Sequence, residues 1–118
     1  MNDIKEGIEL FNDADYFTAH DFFEDLWCNA LRDERYFYQG LVHVSVASFH
    51  LISGNRKGAL SQYSKCLIKL EKYKPVHEKI DINDLTCSVE RLVKELSLEG
   101  EKPLESLVEL LPKINYVK

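Results

Sequence analysis

The stretch from Asp33 to Ser53, DERYFYQGLVHVSVASFHLIS, constrains this chain more than any other. Its apolar residues recur at helical rather than alternating spacing, and it contains no proline and a single glycine, so it reads as one long helix. At about 100° per residue, Phe37, Leu41, Val44, Ala47, Ser48 and Leu51 share one side, while Val42, Val46, Phe49 and Ile52 occupy others. A helix that is apolar nearly all round has to be covered by its neighbours, which puts it at the centre of a helical assembly. Gly40 lies on the main apolar side. Its missing Cβ admits a close neighbour, at a propensity cost of about 1 kcal/mol. The one polar stripe is Arg35, Gln39, His43 and His50.

The remaining segments supply the cover. Only five Gly and three Pro punctuate 118 residues. A first helix is expected from about Asp3 to Phe11, with Asp3 and Glu6 as a capping box and Ile4, Ile8 and Phe11 on one face. Asn12 to Asp15 reads as a turn, followed by a second helix from Tyr16 to Leu31. Gly54-Asn55 closes the third helix and opens a fourth that runs to about Lys74 and is ended by Pro75. Asn83 is the expected cap of a fifth helix that Gly100 closes. Pro103 starts a last short helix and Pro112 stops it. The segments 14–19 and 54–59, forty residues apart, each open a helix after a turn, an echo that fits packed helix pairs better than a repeat array. The expected fold is all-α: a multihelical bundle of five main helices plus a short C-terminal one, packed as antiparallel hairpins, in one domain over residues 1–118.

Composition narrows the function classes. The net charge is −5 and the basic residues are scattered, which argues against nucleic-acid binding, since that needs clustered Lys and Arg. Lys65, Lys69, Lys72 and Lys74 read as the solvated face of the fourth helix, diluted by Glu71. Three cysteines, Cys28, Cys66 and Cys87, without a C-x-x-C pattern, support neither a disulfide framework nor a zinc knuckle. The N-terminal residues carry no basic, apolar leader, and no run approaches the roughly 20 apolar residues of a membrane span. A cytoplasmic location is therefore expected.

Several residues conflict with simple burial. His20 and Glu24 fall on the apolar side of the second helix with Trp27, four residues apart and so stacked on one face. With Asp21 they offer an imidazole and two carboxylates, which could bind a divalent metal with His43 or His50 or do acid–base chemistry. The structural alternative is a buried staple in which Glu24 pairs with Arg35 across the turn, while His20 and Gln39 satisfy neighbouring groups. Breaking such a pair costs about 3–5 kcal/mol. No Ser or Cys stands in a nucleophile elbow and no Gly-rich phosphate loop occurs, so the staple is the preferred reading. Trp27 is read as core, and His77, in a loop beside Glu78, carries no assignment.

The segments FNDADYFTAHDFFEDLW, RYFYQGLVHVSVASFHLISGN and the following GAL resemble, over about residues 11–70, the family of domains of unknown function numbered 309. The positions matched are His20, Glu24, Trp27, Arg35, Gln39, Gly40, Gly54, Asn55, Gly58 and Ala59. The resemblance implies a small multihelical bundle and no particular reaction. Ala14 stands where that family tends to have Gly, Asp21 where it has Glu, and His43 where Gln is common. The function expected is a non-enzymatic binding or interaction module, with a protein partner or a second copy of itself. The alternative is a small metal-dependent or acid–base enzyme using His20 and Glu24, and no cofactor can be named. The candidate polar site is His20, Asp21, Glu24, Trp27, Arg35, Gln39, His43 and His50.

Overall fold

The computed structural model describes residues 4–98 and 102–118. Six helices follow in order: α1 Ile4–Asn12, α2 Tyr16–Asn29, α3 Arg32–Ile52, α4 Arg56–Leu70, α5 Ile82–Ser97 and α6 Leu104–Val108. The expected all-α bundle of five main helices and a short last one is what forms, with adjacent helices antiparallel. α3 is central: α2 packs along one side of it and α4 along another, α1 lies on α2, and α5 lies on α4. The expected capping box at Asp3 and the closure at Gly100 fall outside the described residues.

The core grows from the faces that the periodicity marks. Ile8 and Phe11 of α1, Ala19 and Phe23 of α2, and Phe37, Leu41, Val44, Ala47 and Leu51 of α3 are all buried. α4 adds Tyr63, Cys66 and Leu70, and α5 adds Leu85, Val89 and Leu92. The buried hydroxyls have partners: Ser48 Oγ and Tyr63 Oη lie 2.7 Å apart, and Ser45 and Thr86 donate to the Leu41 and Ile82 carbonyls of their own helices, each at 2.9 Å. Burial pushes the Tyr63 phenol and the Cys66 thiol far above their ordinary ranges, which leaves Cys66 inert, whereas Cys28 and Cys87 are exposed. A Cβ on Gly40 would stand 2.6 Å from Leu70 Cδ2, so α3 and α4 meet there as the glycine suggests.

The two turns that echo each other are the same backbone motif. After α1, the Asp15 amide donates to the Leu10 carbonyl and the Ala14 amide to the Phe11 carbonyl, both at 2.9 Å. After α3, the Asn55 amide donates to His50 at 2.8 Å and the Gly54 amide to Leu51 at 3.0 Å. Both are Schellman closures, and the C′ residue has φ +67° at Ala14 and +84° at Gly54. Asn55 Oδ1 then caps α4 by accepting from the Gly58 amide at 2.9 Å, while Asp15 makes no such side-chain bond to α2.

Between α4 and α5 the structure holds what the periodicity does not predict. α4 ends at Leu70 and tightens into a 3₁₀ turn over Glu71–Tyr73. A hairpin follows, with β1 Val76–His77 antiparallel to β2 Ile80–Asp81 and His77 opposite Ile80. Its two turn residues, Glu78 and Lys79, have φ of +53° and +64°, the geometry of a tight primed turn. The cap of α5 is Asp81, whose Oδ1 accepts from the Asp84 amide at 2.9 Å, two residues ahead of the expected Asn83.

Candidate functional site

α2 and α3 present the groups singled out by sequence, and the structure sorts them into three places. His20 lies between two carboxylates of its own helix: Nδ1 is 3.3 Å from Asp21 Oδ1 and Nε2 is 3.7 Å from Glu24 Oε1. The second distance follows from the four-residue spacing. Together the three side chains offer one donor atom each, all within 4.8 Å of one another. They could hold a divalent ion on one side.

The buried staple is corrected by this geometry. Glu24 is 45% exposed and faces His20; among the described residues it makes no ion pair with Arg35. Arg35 lies out in solvent at the start of α3, where its guanidinium sits 5.5 Å over the Trp27 ring and Nη1 donates to the Trp27 carbonyl at 3.4 Å. The physical reason is that α2 ends two residues earlier than expected, at Asn29, so the extended Ala30–Leu31 link swings the first turn of α3 towards the end of α2 rather than its middle. Trp27 is half-buried, held by a cation rather than sealed in the core.

Gln39 and His43 lie further along α3, lining a cavity of about 360 Å³ with Lys65, Ile68 and Lys69 of α4. His43 Nδ1 donates to Gln62 Oε1 at 2.7 Å. Burial lowers the His43 pKa below its ordinary value; the Gln62 bond opposes this, and the ammoniums of Lys65 and Lys69 add to it. His43 is thus turned away from His20 and towards α4. His50, at the far end of α3, does approach His20: both line an apolar cleft of about 230 Å³ between α2 and α3. Asn55 Nδ2 donates to His50 Nδ1 at 3.4 Å.

The other walls of that cleft are Tyr16, Phe17, Val46 and Phe49. Phe17 is 60% exposed, and its ring lies 6.1 Å from that of Phe49 and 6.0 Å from that of His20. These aromatics carry no assignment in the sequence reading. The available signal was that Phe17 and Phe49 fall off the main apolar stripe of their own helices, where a large ring has no core to enter.

A second group of donors also escaped the sequence reading. His77, on β1, has its Nε2 2.8 Å from Glu34 Oε1, with Glu78 close by. The ring stands edge-on to Phe37 and Tyr73, with centroids at 4.6 and 4.7 Å. It acts as a tie between the hairpin and the first turn of α3, where the Glu34 carboxylate also suits the positive end of the helix dipole.

Residues 4–62 match the model of a family described as "Domain of unknown function (DUF309)". No curated protein matches the chain. No helix of the described residues is long and apolar enough to cross a membrane.

Proposed function

Because the chain belongs to the DUF309 family, whose description names no activity, we propose a function from the site alone: a non-enzymatic binding module that takes an apolar anchor of a protein partner into the cleft between α2 and α3. The observation that carries this reading is the exposed Phe17–Phe49 wall over a cleft of about 230 Å³. That volume lies below the roughly 300–1,000 Å³ of ligand and cofactor pockets and suits one large side chain. Aromatic anchors in small pockets are the usual centre of protein interfaces. His20 forms one edge of the cleft, and Asp21 and Glu24 stand behind it, so a basic residue beside the anchor would be favoured.

Burying one Phe side chain is worth about 1.5–3 kcal/mol, so a minimal ligand should bind only in the millimolar range or weaker. The test is a nuclear magnetic resonance titration with acetyl-Arg-Phe-amide and acetyl-Glu-Phe-amide. The Arg peptide should shift the amides around Phe17 and Phe49 at lower concentration than the Glu peptide, and Phe49→Asp should abolish both responses. Equal shifts from the two peptides, or none near the cleft, would sink the proposal.

A second reading rests on the His20, Asp21 and Glu24 donors: a divalent metal site or an acid–base centre. Equilibrium dialysis against zinc separates the two readings. Stoichiometric binding that is lost in Glu24→Ala, with the fold intact, favours the second.

A further inference from the structure

Lys69 near the end of α4 and Lys72 in the 3₁₀ turn after it both reach an aromatic ring of α3. Lys69 Nζ lies 4.3 Å and Lys72 Nζ 5.3 Å from the centre of the Tyr36 ring on α3. Around Tyr36, a cavity of about 480 Å³ is lined by Arg32, Asp33, Arg35 and Lys72. Next along the same pair of helices comes the cavity lined by Gln39, His43, Lys65, Ile68 and Lys69. The Tyr36–Lys69 contact lies between the two, so the cavities follow one another in a groove along the seam of α3 and α4. It carries five cations, Arg32, Arg35, Lys65, Lys69 and Lys72, in a chain whose net charge is −5. The nearby carboxylates are largely engaged elsewhere: Glu34 with His77 at 2.8 Å and Glu71 with Lys74 at 3.1 Å. Asp33 is the one acidic residue on the groove wall. Burial is the main cause of the lowered His43 pKa, and Lys65 and Lys69 add to it in the same direction.

We infer that the α3–α4 groove is a docking site for an acidic, amphipathic helical segment of a protein partner. Charge complementarity selects the acidic groups. Ile68, an aliphatic side chain 73% exposed among the cations, calls for an apolar residue opposite it, which a polynucleotide does not offer. The Tyr36 ring is occupied by two ammoniums and so is a poor platform for base stacking. Five cations also fall short of the roughly 6–10 phosphate contacts that support tight nucleic-acid binding, and the negative remainder of the chain repels a long polyanion. From Arg32 to His43 the groove spans about 17 Å, the length of a helix of about 12 residues.

This surface is separate from the Phe17–Phe49 cleft, and its test does not depend on that site. A library of 12-residue peptides displayed on phage would be selected on the protein. The enriched peptides would then be measured by fluorescence anisotropy against wild type, the triple variant Lys65→Glu, Lys69→Glu, Lys72→Glu, and Phe49→Asp. All three lysines are surface groups, and circular dichroism checks that the triple variant folds. Peptides should be enriched in Asp or Glu with apolar residues at three- and four-residue spacing. They should lose at least about tenfold in affinity on the triple variant and none on Phe49→Asp, and should weaken several-fold between about 50 and 200 mM salt. Failure to enrich any peptide, enrichment without acidic bias, or unchanged affinity on the triple variant overturns the inference. So does tighter binding of a 12-nucleotide oligothymidylate than of the best peptide.

Discussion

Ala14 and Gly54 close two helices with the same pair of hydrogen bonds and the same left-handed backbone, yet only one of them is a glycine. An L-residue with a Cβ in that region is strained by about 1–2 kcal/mol. Ala14→Gly is therefore expected to stabilise the chain by up to about 1 kcal/mol, after the extra entropy of an unfolded glycine is subtracted, and Gly54→Ala to destabilise it by a similar amount. Urea midpoints of the two variants check both signs. Glu24 gives a second residue-scale prediction. Half-exposed and 3.7 Å from His20, it should change stability by less than about 1 kcal/mol when replaced by Ala, against about 3–5 kcal/mol for a buried staple. His43 gives a third. Its folded pKa lies below the ordinary value of 6.5, so below that pH the unfolded chain takes up a proton that the folded chain refuses. The stability His43 contributes is complete above about pH 6.5 and is lost as pH falls through the lowered folded value. His43→Gln should flatten that decline, measured as urea midpoints at about pH 7.5 and about pH 6. The stacking of His20 on Glu24 was legible in the sequence because helix geometry sets it. The partner of Arg35 was not, because it depends on where α2 ends, and no sequence rule places a helix end to within two residues.

At the scale of elements, Gly40 marks where α3 and α4 touch. Gly40→Ala adds a Cβ 2.6 Å from Cδ2 and 2.7 Å from Cγ of Leu70, a fully buried side chain with no room to retreat. Overpacking costs about 1–3 kcal/mol and helix propensity returns about 1, so a net loss of up to about 2 kcal/mol is expected. In a Leu70→Ala background the same change should be neutral or favourable, a coupling that a double-mutant cycle in urea measures directly. The helices themselves were legible because each carries several turns of apolar spacing. The hairpin was not: its strands are two residues long, too short to show alternation, and its turn is Glu78-Lys79 where Asn-Gly would have signalled it. His77 was passed over for the same reason, since only the hairpin brings it to Glu34.

At the scale of the whole molecule, the centrality of α3 could be read from its residues alone, because an all-round apolar helix has one place to go. The polarity of the surface could not. α4 by itself shows its basic character, with Arg56, Lys57, Lys65 and Lys69 and no carboxylate, but the first turn of α3 balances Arg32 and Arg35 with Asp33 and Glu34, and only the packing of the two helices sets these cations side by side. The radius of gyration, 13.4 Å, is close to the value of about 13.5 Å for a compact chain of this length. Part of that closure is made late in the sequence. Asn12 Oδ1 accepts from the Ile114 amide at 2.8 Å and its Nδ2 donates to the Ile114 carbonyl at 2.9 Å, while the Asp81 amide donates to Asn115 at 2.8 Å. The bonds at Asn12 join residues 102 positions apart. The contacts that pack α1 to α5 join elements that are neighbours in sequence, α1 with α2, α2 with α3, α3 with α4 and α4 with α5, so they are expected to form before the Asn12–Ile114 clasp. The clasp is therefore expected to secure a body already formed rather than to nucleate it. Asn12→Ala should accordingly speed unfolding while leaving the refolding rate nearly unchanged, as stopped-flow chevrons would show. The seal would then be the last part of the body to close and the first to open.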